Sequence, residues 1–513
     1  EGAVSTTFAA AIVLDATGDG GTVTFDDVST TFANATSVTV NANEGIDVNQ
    51  DITASLGTIL LEGDSDNTDD GVAATDDAVT ITDTPTITAT AITLRGTSGG
   101  IYLDGAGTAT LDTTSDGAVT IDDAVTAAGN PNLSIESQGA VTVAGININN
   151  GALNIDVDDN NGGAATGQFN GALSAGSITI DGGATANDIL DFDGNVTSTT
   201  GAITIQNAAE VDIAAGRTFN AATNLLATAN ITLIDFSGAV GTNTMQAGGN
   251  VDLDAITDSA DGGPAEVNII GESVTLAAVT LDGDGDDTGV TLDIDLDGAA
   301  DDGARVLTAA AAISAGTIEV DGQGSDDNMN FADTVTSTGG GITMQTAAIV
   351  DFNADVTAAT ALSIGTVATR VDLAAGVDLN AQNGNLYVYD TVAGILLSGA
   401  STTTNIVDQN GDAGTLRLAA VSATNNVNLT ANAEGSIILD TVELNTGTLD
   451  VNLDNDNDST ETMTANQLDA GIITINGGTE VANDDNVTLN GTVTSDSTVV
   501  TFEDINILDL NAN

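Results

Sequence analysis

The sequence predicts an all-β protein, an elongated parallel β-helix (β-solenoid) with about 20 residues per coil. Three observations carry this expectation. Apolar–polar–apolar triplets bounded by Gly, Ala or Asn recur along the chain, as in TVTF at 22, AVTI at 118, SITI at 177, SVTL at 273, TIEV at 317 and IITI at 472. Such alternation with β-branched residues is the pattern of short strands between turns. Long stretches of the chain also resemble one another. No segment combines the length and the charged i,i+4 pairs of a helix; the alanine run at 309–312 lacks both.

The internal similarity favours a solenoid over the alternative, tandem β-sandwich domains. One segment contains GALNIDVDD from Gly151, SAGSITIDGG from Ser174 and NVTSTTGAITIQ from Asn195. A second offers VTLDIDLDG from Val290, SAGTIEVDG from Ser314 and TVTSTGGGITMQ from Thr334, and a third has GTLDVNLDND from Gly447, DAGIITINGG from Asp469 and TVTSDSTVVTF from Thr492. Ile205, Met344 and Phe502 mark the same point in each, and TVTFDD at 22–27 adds Phe25 as a fourth marker. The markers are 180, 139 and 158 residues apart, spacings that divide into about nine, seven and eight coils of ~20 residues. A solenoid can gain or lose a coil without disturbing its neighbours, whereas a sandwich must loop the extra residues out. The expected organisation is a partial repeat at 1–35 followed by solenoid segments at 36–216, 217–355 and 356–513.

Composition removes most catalytic chemistry. The 513 residues hold no His, no Cys and no Trp, and the five basic residues are all arginines: Arg95, Arg217, Arg305, Arg370 and Arg417. Cysteine nucleophiles, histidine bases, lysine Schiff bases and Cys/His metal sites are therefore impossible. Against the five arginines stand 75 acids, for a net charge of −70. That charge repels the phosphates of nucleic acid and of anionic membranes, and no run reaches the roughly 20 apolar residues of a spanning helix. Neither a nucleic-acid partner nor membrane insertion is expected. Stacked at about 4.8 Å per coil, ~26 coils place the charges about 1.8 Å apart, close to the roughly 1.7 Å of duplex DNA, so the chain must attract cations.

Calcium is the expected ion, because carboxylates, amides and carbonyls are its ligands. Acids two residues apart, which a turn can aim at one ion, occur at Asp64 and Asp66; at Asp282, Asp284 and Asp286; and at Asp454, Asp456 and Asp458. Asp188 recurs as Asp327 and Asp485 in the aligned segments and joins this candidate set. In a strand the same spacing, as at Asp293, Asp295 and Asp297, places carboxylates on one solvent face. The arginines are scattered and form no platform in sequence with Tyr102, Tyr387 or Tyr389. Each is expected to pair with a neighbouring acid.

The GxITI-type strands, the Gly/Asn turns and the absence of Cys and Lys resemble the β-helical repeats of bacterial filamentous-haemagglutinin and autotransporter passenger proteins. The acidic Thr/Ala/Asp/Asn-rich composition is similar to that of surface-layer proteins. The resemblance implies a secreted, extracellular or cell-surface protein. The expected function is a non-catalytic structural subunit of an extracellular filament or surface layer, assembling end to end with copies of itself and stabilised by calcium. An adhesin shaft that binds a cell surface, with polysaccharide as a candidate partner, is the alternative. A polysaccharide-degrading β-helix enzyme is the third and least favoured class.

Overall fold

The computed structural model describes residues 10–18, 20–26, 28–66, 76–160, 162–183, 187–237, 241–258, 265–281, 289–296, 303–400, 403–410, 414–453, 460–478 and 485–511. Among them are 54 strands and no helix. The chain is a parallel β-solenoid of about 19 turns with roughly 24 residues per turn, arranged as two compact units, Glu1–Ala255 and Ile256–Asn513.

Within each unit, three strands make one turn, and each strand pairs in parallel with its counterpart one turn on. In the first unit Ile135 lies over Ile155, Ile155 over Ile180 and Ile180 over Ile205, all in exact register. A second column runs through Val38, Ile59, Ile92, Val119 and Val141. In the second unit Leu292, Ile318, Ile342, Leu362, Leu386 and Leu416 stack likewise. Because side chains alternate along a strand, the triplet's two apolar residues both face inward and its middle residue faces out. The inward residues named here are all essentially inaccessible to solvent.

The turn is longer than the sequence predicts, and it is not constant. One short turn runs from Ile135 to Ile155, while much longer ones run from Ile52 to Ile87 and from Val279 to Ile313. These two long turns carry the acid runs beginning at Asp64 and at Asp282. The paired strands keep a common register through coil-to-coil hydrogen bonds, with local shifts such as the one between Ala54 and Thr58, so turns of different length share one stack.

Variable turn length also changes the meaning of the repeat. In the second unit Met344 stacks on Ile364, Val388, Leu418, Leu439, Ala465 and Leu489. Phe502 belongs to a different column, over Ile475, Val451, Ala431, Val407 and Leu379. The two markers are thus equivalent in sequence but sit one strand apart around the coil. The interval between them is not a whole number of turns, contrary to the division expected from the sequence.

The corners rely on asparagine. Asn149 and Asn445 adopt left-handed φ values of 56° and 52°, a conformation that Asn tolerates better than other non-glycine residues. Each hangs its amide on the previous coil: Asn149 Nδ2 donates to the carbonyls of Ala127 at 3.1 Å and Gly129 at 2.8 Å, and Asn445 Nδ2 to that of Ala423 at 3.1 Å. Asn132 and Asn428 accept the N–H of Ala152 and of Thr448, each at 2.8 Å, from the next coil. A methyl group on Gly151 or Gly447 would strike the carbonyl of Pro131 or Val427 below, so only glycine fits there.

Aromatic residues are few and concentrated. Phe169 stacks on Phe192 with centroids 4.7 Å apart, Phe192 meets Phe219 edge-on at 5.1 Å, and in the second unit Phe331 stacks on Phe352 at 5.2 Å. Phe192→Ala removes the centre of the first cluster and is expected to cost about 3–5 kcal/mol. Coils contact mainly their neighbours, so the loss should be local. Hydrogen exchange should quicken around 169–219 and remain unchanged in the Phe331–Phe352 coils; a uniform rise along the chain would refute this.

Candidate functional site: stacked carboxylates and a tyrosine–arginine cleft

Exact register stacks polar residues as faithfully as apolar ones. In the first unit Asp112 lies over Glu136, Glu136 over Asp156 and Asp156 over Asp181, with Thr88 and Gln206 at the two ends. Four acids thus stand in one column, at the ~4.8 Å separation of neighbouring strands. Glu136, Asp156 and Asp181 border a groove of ≈ 370 Å³ that Asn154, Asp159 and Thr179 also line. Asp191, Asp212 and Asp235 form a second column. In the second unit Asp293 pairs with Glu319 and Asp295 with Asp321, giving a two-by-two grid. The expectation that Asp293 and Asp295 share a face is met; Asp297 lies outside the described residues.

The charge cost of this stacking is visible in the acids' proton affinity. Asp156 is pushed up to about 7 by partial burial first, then by the charges of Asp181, Asp159 and Glu136 and by a hydrogen bond with Asp159. Asp293 is raised to about 6 by burial and by Asp295, Glu319, Glu266 and Asp321. Asp112, Asp191, Asp212 and Asp351 are raised too, by burial first and by neighbouring like charges besides, with hydrogen bonds opposing the rise in three of them. Amides relieve the column where they occur. Asp181 accepts from Gln206 Nε2 at 2.6 Å and Asn207 Nδ2 at 2.9 Å; Asp321 accepts from Gln345 Nε2 at 2.9 Å. In the third repeat Asn452 stands where Asp156 stood, and it donates to Asn432 Oδ1 at 2.7 Å.

The candidate metal residues fall into three groups. Asp282, Asp284 and Asp286, with Asp454, Asp456 and Asp458, lie outside the described residues. Asp64 and Asp66 diverge: Asp64 is 1 % exposed and accepts the Ser98 N–H at 2.9 Å, while Asp66 faces solvent. Asp188, Asp327 and Asp485 are all buried, and each ties three coils together. Their Oδ1 atoms accept the N–H of Ala165, Arg305 and Glu461 on the preceding coil at 2.7, 2.8 and 2.9 Å. Their own carbonyls accept the N–H of Ala209, Ala348 and Asn506 on the following coil at 2.8, 2.6 and 2.9 Å. Burial raises the Asp327 carboxyl; the Arg305 N–H and the Arg305 charge oppose the rise. Among the described residues, no three acids are grouped so as to hold one metal ion.

Arginines divide in a way the sequence does not indicate. Arg95 pairs with Asp122 at 2.8 Å, and Arg370 with Asp372 at 2.6 Å. Arg417 makes no ion pair among the described residues; its Cζ lies 5.8 Å from the centre of the Tyr389 ring. Register brings this about, because Tyr387 stacks directly under Arg417 from one full turn earlier in the chain. Tyr387 and Tyr389 meet edge-on at 6.1 Å and 88°. The sequence offers no tyrosine–arginine platform; the structure supplies one. Its signal is the shared pattern of LYVYD at 386–390 and LRLAA at 416–420, usable only once the length of the turn between them is known.

No protein-family model, curated protein or solved structure matches the chain.

Two predictions test this site. The folded protein holds the Asp156 proton to about pH 7, whereas an unfolded Asp releases it near ~3.9. Between those values the folded state binds more protons, so stability falls as pH rises from about 4 to 7. Asp156→Asn should flatten this fall and raise the urea midpoint at pH 8 with little change at pH 4; an equal shift at both values would refute the assignment. Asp327→Ala strands the Arg305 N–H and should cost about 1–3 kcal/mol, while Asp327→Asn, which keeps an acceptor oxygen, should recover most of it in the same urea melts.

Proposed function

We propose that the chain is a non-catalytic structural protein of the cell exterior, a subunit of a filament or surface layer whose acid columns are neutralised by cations, calcium foremost. The observation that carries this reading is the in-register stacking of carboxylates. A net charge of −70 over about 19 turns is one charge per ~1.3 Å of rise at ~4.8 Å per turn, denser than duplex DNA. Such a charge density condenses counter-ions along a column without any single chelating cage. Calcium suits the available oxygen ligands better than a transition metal does.

Self-stacking is the second part of the proposal. Val500, Leu508 and Leu510 lie over buried Ile473, Val487 and Leu489, yet are themselves 38 %, 40 % and 63 % exposed. Another layer of strands in the same register would bury them, whether it comes from the same polypeptide or from a second copy. The likeness of TVTFDD at 22–27 to VVTFED at 499–504 fits continuation of one stack into the next.

The test is electron microscopy and thermal melting of the full chain in calcium, in chelator, and in sodium chloride of matched ionic strength. Calcium should raise the Tm more than sodium does and yield ordered polymers that chelator disperses. Separate single particles in calcium and chelator alike would overturn the proposal.

A further inference from the structure

Near Arg417 the second unit has a cleft of ≈ 330 Å³, within the roughly 300–1,000 Å³ of ligand pockets. Tyr389 and Ile438, the latter 40 % exposed, give it apolar walls. Arg417, Asp390, Asp440 and Asn466 supply its polar groups.

We propose that this cleft binds one unit of a neutral saccharide. In a chain with 75 acids, a guanidinium with no carboxylate partner among the described residues retains its planar fork of donors for a ligand. Asp440 is held in place by Asn466 Nδ2 at 2.6 Å and keeps acceptor capacity beside that fork. Thr391 also lines the cleft, and its Oγ1 is buried with no hydrogen-bond partner. Donors and acceptors side by side against an aromatic wall match the hydroxyls and C–H faces of a sugar ring. A phosphate, sulfate or carboxylate ligand would meet Asp390 and Asp440 as well as Arg417, and would approach against the field of the whole chain.

The wall is built for its place. A Cβ at Gly365 would lie 2.8 Å from Tyr389 Cζ, so the ring occupies space that only glycine leaves below it. Tyr387 buttresses the ring from the side, and the Tyr389 N–H is tied to the Ile364 carbonyl at 3.0 Å. The site does not depend on assembly, since a structural subunit and an adhesin shaft can each carry it.

The experiment is saturation-transfer NMR and tyrosine-fluorescence titration of the full chain with cellohexaose, maltohexaose and chitohexaose as neutral probes and hexagalacturonate as the anionic one. With three tyrosines and no tryptophan in the chain, fluorescence reports chiefly on this cleft. A saturable response to at least one neutral probe is expected. Losing one charged hydrogen-bonding group should weaken it about tenfold or more in Arg417→Ala, and Gly365→Ala should weaken it by displacing the ring. Arg417→Lys serves if Arg417→Ala melts early, and Arg95→Ala, elsewhere on the surface, should bind as the parent does. No response to any neutral probe, binding of hexagalacturonate alone, or unchanged binding in both Arg417 variants would overturn the proposal.

Discussion

Parallel stacking in exact register is the constraint from which the rest of this molecule follows. Each strand hydrogen-bonds to its counterpart one turn away, so whatever occupies a position meets its own counterpart above and below. For Ile135, Ile155, Ile180 and Ile205 the result is a continuous apolar core. For Asn432 and Asn452 it is an amide ladder in which each side chain can donate to one neighbour and accept from the other. For Glu136, Asp156 and Asp181 it is repulsion that burial prevents water from screening fully. One geometric rule stabilises two columns and penalises the third.

The three repeats handle that penalty differently. The first has Asp156 above Glu136, with Gln206 and Asn207 quieting Asp181 from the far end. The second places Asp295 over Asp321 and closes the pair with Gln345 and Gln323. The third substitutes asparagine at the same points, Asn452 and Asn476, and has no carboxylate at either to neutralise. Retaining acids where the third repeat has asparagine costs stability at neutral pH.

Strands and solenoid were legible because the inward pair of each triplet is set by side-chain alternation, a strictly local property. The turn length was not, because it depends on how many residues lie between paired strands, as between Ile52 and Ile87 or Val279 and Ile313, and this number can change while the inward–outward alternation of the strands is kept. The same ignorance hid Tyr387 beneath Arg417, since their meeting depends on knowing how far the chain travels around one particular turn. Asp188, Asp327 and Asp485 were recognisable as a recurring set but not as buried ties. An Asp beside other Asn and Asp residues carries no local sign of burial, and the N–H it captures lies on the preceding coil, far back along the chain.

The offset between Met344 and Phe502 has a further consequence. A segment duplicated in steps of single strands emerges with its outer surface aimed in a new compass direction, while its apolar residues still face the axis. Within the second unit, the outer surfaces of the two related segments that contain Met344 and Phe502 therefore lie on different flanks of the coil rather than in one stripe.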